Sequence, residues 1–126
     1  MTPRAKAFAA HIEAICEANR ITIQYADMDE RAYIDDRGIR IRPVRGELSY
    51  ASALHEIGHI LARWKTRPVL VNETGAWLWA EKNAITWTEP MRRLAARCLA
   101  SYYNIRKPTD HVPKKPHEFW RILNFR

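Results

Sequence analysis

The sequence predicts an α+β fold, built as one domain over residues 1–126. A chain of 126 residues is long enough for one hydrophobic core and leaves little room for a second. Apolar residues follow a helical period in the first segment, alternate with polar residues in three short segments, and return to helical spacing in the remainder. Helices and strands that are segregated along the chain in this way are typical of the α+β class.

The first helix is predicted over residues 3–19. Thr2 supplies a hydroxyl that can cap the helix, and Pro3 follows at a position where its missing N–H costs nothing. Phe8 and Ile12 fall on one face, so the helix should pack that face against the rest of the domain.

Three short strands should follow this helix. Residues 21–25 alternate between apolar and polar types, and residues 27–31 then form a polar turn. A second strand is predicted over residues 32–35, and the turn-rich residues 35–38 separate it from a third strand over residues 39–42. Together they predict a small three-stranded sheet.

The rest of the chain predicts helices. One starts at Ser49 or Tyr50 and runs to about Lys65, and residues 66–71 form a loop that contains Pro68. Asn72 is the expected cap of the next helix. The later segments are a helix over residues 73–86, a helix from Thr88 to about Tyr102, an irregular basic stretch over residues 107–115, and a short helix over residues 116–124.

Charge and cysteine content narrow the class of protein. The 21 basic and 14 acidic residues give a net charge of +7, which favours acidic partners such as nucleic acid or a protein bound to DNA. A solvated basic surface, making at most weak contact with nucleic acid, is an equally simple interpretation. Cys16 and Cys98 lie far apart in apolar surroundings, which indicates reduced thiols in a cytoplasmic protein. No stretch is apolar for long enough to cross a membrane.

The chemistry is concentrated in the run His55-Glu56-Ile57-Gly58-His59. Two histidines four residues apart lie one helical turn apart on the same face, where both can bind one zinc ion. Glu56 lies beside them and can take a proton from a water molecule that the metal activates. Gly58 is a poor helix former, which indicates that a Cβ would obstruct close packing there. The plainer interpretation is two surface histidines on a basic helix.

A catalytic zinc site needs a third protein ligand and an open fourth position. Glu73 is the favoured candidate, because it follows a short loop and its helix can return antiparallel to the motif helix. Its plainer role is a first-turn glutamate that favours the helix dipole. The other candidates are His11, His111, His117, Glu81 and Glu89. Two imidazoles and one carboxylate suit zinc, but the sequence does not separate zinc from manganese.

Two motifs make the chain resemble the ImmA/IrrE family of zinc metallopeptidases, which are HExxH enzymes of the gluzincin-like kind. The first is His55-Glu56-Ile57-Gly58-His59-Ile60-Leu61. The second is Glu73-Thr74-Gly75-Ala76-Trp77-Leu78-Trp79-Ala80, similar to the family pattern E-x-x-A-x-x-F-A with Trp79 in the phenylalanine position. The resemblance covers roughly residues 8–90 and does not extend to the tail from Lys107.

The resemblance implies His55, His59 and Glu73 as zinc ligands and Glu56 as the catalytic acid/base. It also implies that Ala76, Trp79 and Ala80 pack behind the metal. Better-known members cleave helix-turn-helix repressors and thereby switch on genes of mobile elements such as phages, or stress-response genes. We therefore expect a cytoplasmic zinc endopeptidase with no membrane association, whose substrate is a regulatory protein. The alternative is a catalytically silent module that binds a repressor or DNA.

Overall fold

The computed structural model describes residues 1–62 and 68–125 and confirms the predicted α+β class. An N-terminal helix leads into a three-stranded mixed sheet, and four helices follow. The elements are α1 (Pro3–Ala18), β1 (Thr22–Tyr25), β2 (Arg31–Tyr33), β3 (Gly38–Ile41), α2 (Glu47–Leu61), α3 (Val69–Asn83), α4 (Glu89–Asn104) and α5 (Glu118–Leu123).

Helix α1 begins as its sequence predicts. The Thr2 hydroxyl accepts a hydrogen bond from the backbone N–H of Ala5 at 3.1 Å, so it satisfies one of the unpaired donors of the first turn. The buried face of α1 packs on α2, where the Phe8 ring stacks on Tyr50 with 4.1 Å between ring centroids. This contact holds the N-terminal helix against the helix that carries the histidine motif.

The sheet has the strand order β1-β3-β2, so the last strand in sequence is the central one. Strand β3 pairs in parallel with β1 and antiparallel with β2. Ile39 and Ile41 of β3 are buried against the helices. Within the described ranges only β3 pairs with β2, which leaves the other edge of β2 unpaired, and α2 contacts both β2 and β3.

Helices α2 and α3 form the central contact of the molecule. Leu54, Ile57 and Ile60 of α2 are at most 1% exposed, and Leu70 and Trp77 of α3 are equally buried. Burial of these large apolar side chains is the main source of stabilisation at the contact. None of the described helices is long and apolar enough to span a membrane.

Several predicted element boundaries were wrong. Helix α3 starts at Val69, so Asn72 lies inside the helix and does not cap it. Pro68 occupies the position before the first helical residue and Leu70 is buried in the core, so residues 69–71, which were assigned to a loop, form the first turn. Residues 66 and 67 of the predicted loop lie outside the described residues. Glu73 consequently lies in the second turn of α3. The predicted end of the motif helix at Lys65 lies outside the described residues.

The other boundary errors are smaller. Strand β2 covers Arg31–Tyr33 because these residues pair with Gly38, Ile39 and Arg40, and residues 34–37 form the turn. Helix α2 begins at Glu47, where the Ser49 hydroxyl accepts a hydrogen bond from the backbone N–H of Gly46 at 3.1 Å. Side-chain hydrogen bonding to the backbone before the helix thus advances its start by two residues.

Candidate metal centre

The side chains of His55, His59 and Glu73 meet between α2 and α3. Nε2 of His55 lies 2.9 Å from one Glu73 carboxylate oxygen, and Nε2 of His59 lies 2.8 Å from the other. His55 is 9% exposed and Glu73 is 6% exposed, so the cluster is largely shielded from solvent. Two imidazole nitrogens and a carboxylate that converge in this way could hold a metal ion.

Gly58 is what lets the two helices approach so closely. A Cβ built at Gly58 would lie 2.5 Å from the backbone oxygen of Ala76 and 3.0 Å from its Cα. Ala76 and Ala80 of α3 are fully buried, so α3 presents small side chains toward the core. The expectation that a Cβ at Gly58 would obstruct packing is therefore confirmed, and the close crossing brings Glu73 within reach of both histidines.

The second nitrogen of each imidazole also has an acceptor. Nδ1 of His59 donates to the side-chain oxygen of Asn72 at 2.8 Å. Nδ1 of His55 lies 3.2 Å from a carboxylate oxygen of Glu56. Acceptors at Nδ1 direct Nε2 of both rings toward the cluster, which is the arrangement that outer partners impose on metal-binding histidines.

Trp77 fixes the plane of the His55 ring. The indole of Trp77 stacks on the imidazole with 4.1 Å between centroids and 11° between planes. The contact of Trp77 with His55 was not predicted from the sequence. Trp79, which the family pattern places behind the metal, is half-buried against the core, and no contact of its ring with His55 or His59 is found in the described part of the chain.

The electrostatics of the cluster favour opposite charges on its members. Burial alone lowers the pKa of His55, but the hydrogen bonds and charges of Glu56 and Glu73 outweigh it and raise the pKa to about 9. Burial alone raises the pKa of Glu73, but hydrogen bonds and charge from His55 and His59 lower it to about 2. Glu73 is thus held as a carboxylate, which is the form that binds a cation.

The three donor atoms lie within 4.8 Å of one another and could hold a metal ion. Tetrahedral zinc with bonds of about 2.0–2.1 Å keeps neighbouring donors about 3.3 Å apart. The present separations of 2.8 and 2.9 Å between Nε2 and carboxylate oxygens would need to widen by about 0.4 Å.

An open cleft of about 610 Å³ gives solvent access to the cluster. One wall is formed by His55, Glu56 and His59 of α2, and the opposite wall is formed by residues 29–34, which include β2. Tyr102 of α4 completes the lining. A molecule in the cleft would therefore face both histidines and Glu56 at once, with the open edge of β2 along its other side.

Glu30 is a cleft residue that sequence analysis did not identify. One of its carboxylate oxygens is buried and has no hydrogen-bond partner among the described residues. Burial, followed by the charge of Glu56, raises the pKa of Glu30, whereas the backbone N–H and the charge of Arg42 oppose this rise. In the sequence Glu30 only belongs to a polar turn, and no spacing rule connects it to the distant motif.

The other candidate ligands lie elsewhere. Nδ1 of His11 is 2.6 Å from the hydroxyl of Tyr50, and His117 accepts from the backbone at the start of α5. His111 is exposed. Glu81 pairs with Arg121 at 2.8 Å, and Glu89 pairs with Arg93 along α4. None of these five residues belongs to the cluster in the described part of the chain.

A hydrogen bond to a reacting carbonyl oxygen could come from Tyr50, Tyr102, Tyr103, His111 or an arginine, and only some of these line the cleft. Tyr102 lines the cleft, and burial followed by the charges of Glu73 and Glu56 raises the pKa of its hydroxyl. Tyr50 is fully buried, and its hydroxyl bonds to His11 and to the backbone N–H of Ile85. Tyr103 packs against Phe119 and Trp120. His111 does not line the cleft. Tyr102 and Arg31 are thus the candidates that line the cleft.

No family model, no curated protein and no solved structure matches the chain significantly.

Proposed function

We propose that the protein is a zinc-dependent endopeptidase. His55, His59 and Glu73 hold the zinc ion, and Glu56 is the catalytic acid/base. The observation that carries this proposal is the convergence of both Nε2 atoms on the Glu73 carboxylate at 2.9 and 2.8 Å, on the wall of an open cleft that Glu56 also lines. A purely structural zinc is normally enclosed by four protein ligands, whereas three ligands beside an open cleft are typical of catalysis.

The chemistry divides between the metal and one side chain. A zinc ion supplies Lewis acidity, which lowers the pKa of a water molecule and polarises a carbonyl. Glu56 accepts the proton of the attacking water and delivers it to the leaving amine. Its carboxylate is 8% exposed and lies at the cleft surface, where both transfers can take place. Tyr102 is positioned on the same cleft to donate a hydrogen bond to the carbonyl oxygen as it gains negative charge.

A peptide substrate fits the shape and edge of the cleft. The open edge of β2 presents backbone N–H and C=O groups along one wall. An extended peptide can hydrogen-bond to such an edge, which holds its backbone parallel to the row of catalytic groups. The exposed side chains of Tyr33 and Ile34 at the same wall offer apolar contact to that peptide.

The biological substrate class follows from the family resemblance and from the charge. The two motifs resemble those of the ImmA/IrrE metallopeptidases, whose members act on helix-turn-helix repressors. A net charge of +7 favours association with a protein that is bound to DNA. We therefore propose a cytoplasmic role in which the enzyme cleaves a regulatory protein, such as a repressor encoded by a phage or another mobile element.

The decisive experiment combines metal analysis with a cleavage assay on the full chain. We expect about one zinc ion per molecule, and we expect it to be lost from His59→Ala and Glu73→Ala. Glu56→Gln should retain the metal and lose cleavage of both an extended peptide panel and a purified repressor. Glu81→Gln is the matched control, because Glu81 is a helix α3 carboxylate that pairs with Arg121 outside the cleft.

Two outcomes would contradict the proposal. Full metal content in both ligand variants would place the metal elsewhere. Unchanged biological function in Glu56→Gln would favour the silent binding module, in which Glu56 only accepts the Nδ1 hydrogen bond of His55 at 3.2 Å.

A further inference from the structure

A second cavity lies on the helical side of the molecule and shares Trp77 with the candidate metal centre. It has a volume of about 170 Å³ and is bounded by residues of α3, α4 and α5 and by the segments after α3 and α5. Trp77, Trp87, Ile122 and Phe125 supply its apolar wall. His55, Glu56 and His59 do not line it, so this cavity is separate from the cleft.

The cavity wall contains an unsatisfied hydrogen-bond donor. Trp77 is 1% exposed, and its Nε1 has no hydrogen-bond partner among the described residues. Buried N–H groups in folded proteins nearly always have an acceptor. Trp77 lines the cavity, so a molecule in the cavity that carries an acceptor atom could supply this partner.

The charges on the wall favour an anionic acceptor. Arg121 is neutralised by ion pairs with Glu81 and Glu118. Arg92 also lines the cavity, and its guanidinium lies over the Phe125 ring, 5.7 Å from the ring centroid. In the described part of the chain it has no carboxylate partner. An uncompensated guanidinium beside a buried N–H donor suits a carboxylate.

The size and the lining of the cavity indicate which group the carboxylate of the ligand is attached to. A cavity of about 150 Å³ with apolar walls holds a benzene molecule, and the present volume of about 170 Å³ is similar. Two indoles and a phenyl ring provide faces on which a flat ring can pack. We propose that this cavity is a binding site for a small aromatic carboxylate, whose carboxylate accepts from Trp77 Nε1 and pairs with Arg92. Binding there depends neither on the metal nor on peptide cleavage.

The test is a titration of the full chain with benzoate. The indole N–H resonances of its five tryptophans, observed by NMR, report binding. We expect the Trp77 resonance, assigned with Trp77→Phe, to shift with a Kd below about 1 mM. Toluene, which lacks the acceptor, and acetate, which lacks the ring, should bind at least about tenfold more weakly. No shift of the Trp77 resonance at 10 mM benzoate would overturn the proposal.

Two surface variants keep the test independent of the folding of Trp77→Phe. Arg92→Gln should weaken benzoate binding by about tenfold. Arg93→Gln is the matched control, because Arg93 is the next residue of α4, pairs with Glu89 and does not line the cavity. Equal benzoate affinity in the Arg92 and Arg93 variants would refute the assigned site.

Discussion

Replacing Gly58 by alanine should damage the candidate metal centre without touching any of its ligands. The new Cβ would lie 2.5 Å from the Ala76 backbone oxygen, and ordinary van der Waals contact begins at 3.4 Å, so α2 and α3 must separate by about 0.9 Å. The obstructing atoms belong to the α3 backbone, so no side-chain rotation relieves the contact. Overpacking of this kind costs about 1–3 kcal/mol, and the higher helix propensity of alanine returns about 1 kcal/mol.

The free energy of unfolding should therefore fall by up to about 2 kcal/mol, which lowers Tm by up to about 10 °C in a chain of this size. Glu73 belongs to α3, so the same displacement moves it away from His55 and His59. Metal sites tolerate errors of about 0.2 Å in donor distance, so we expect zinc affinity to fall by about tenfold or more. Thermal unfolding of the metal-free protein, monitored by circular dichroism, measures the change in Tm. Competition with a chelator measures the change in zinc affinity.

Gly46→Ala is the matched control for this variant. A Cβ at Gly46 meets nothing within 4 Å, and Gly46 precedes the same helix α2. Gly46 is the N-cap residue of α2, where alanine is less favourable than glycine, so the free energy of unfolding should fall by up to about 1 kcal/mol while zinc affinity stays unchanged. A Gly58→Ala protein that is as stable as the parent, with unchanged zinc affinity, would refute the close-crossing argument.

Three further predictions concern the hydrogen bonds of the site and core. Zinc must displace a proton from His55, because the pKa of this residue is raised to about 9. The apparent zinc affinity should therefore rise about tenfold per pH unit from pH 7 and become constant above pH 9. A zinc affinity that does not change with pH in a chelator titration would contradict this prediction. Asn72→Ala removes the acceptor of His59 Nδ1 and should weaken zinc binding about 10- to 100-fold by the same competition assay, whereas an unchanged affinity would show that Asn72 does not orient the ring. Burial lowers the pKa of His11, so the unfolded chain binds the extra proton first and stability should be lost as pH falls below about 6.5. Urea unfolding at pH 7.5 and pH 5.5 measures the net change, to which His55, whose pKa is raised, contributes with the opposite sign. The loss due to His11 is the difference between the parent and His11→Gln in this change, and an equal change in both proteins would contradict the prediction.

Local patterns predicted most of the elements. The cap at Thr2, the helical periods and the alternation around Ile39 are properties of neighbouring residues, so they can be recognised without a structure. The histidine spacing is local in the same sense. Gly58 was informative because a helix breaker inside a well-patterned helix points to a close contact.

Relations between distant segments could not be read from the sequence. The start of α3 at Val69 depends on the burial of Leu70 by the rest of the core, which outweighs the loop-forming tendency around Pro68. The strand order β1-β3-β2 depends on how the sheet packs on α2. The stack of Trp77 on His55 and the placement of Glu30 in the cleft arise only when the helices and sheet are assembled.

The central position of β3 also governs how the protein can assemble during synthesis. Strands β1 and β2 emerge first but have no ladder to form with each other, so the sheet cannot grow strand by strand. β3 supplies the missing partner for both, and residues 42–46 tie it directly to α2. The pairing of β3 therefore completes the sheet, and the helix that carries both histidines follows it directly in the chain.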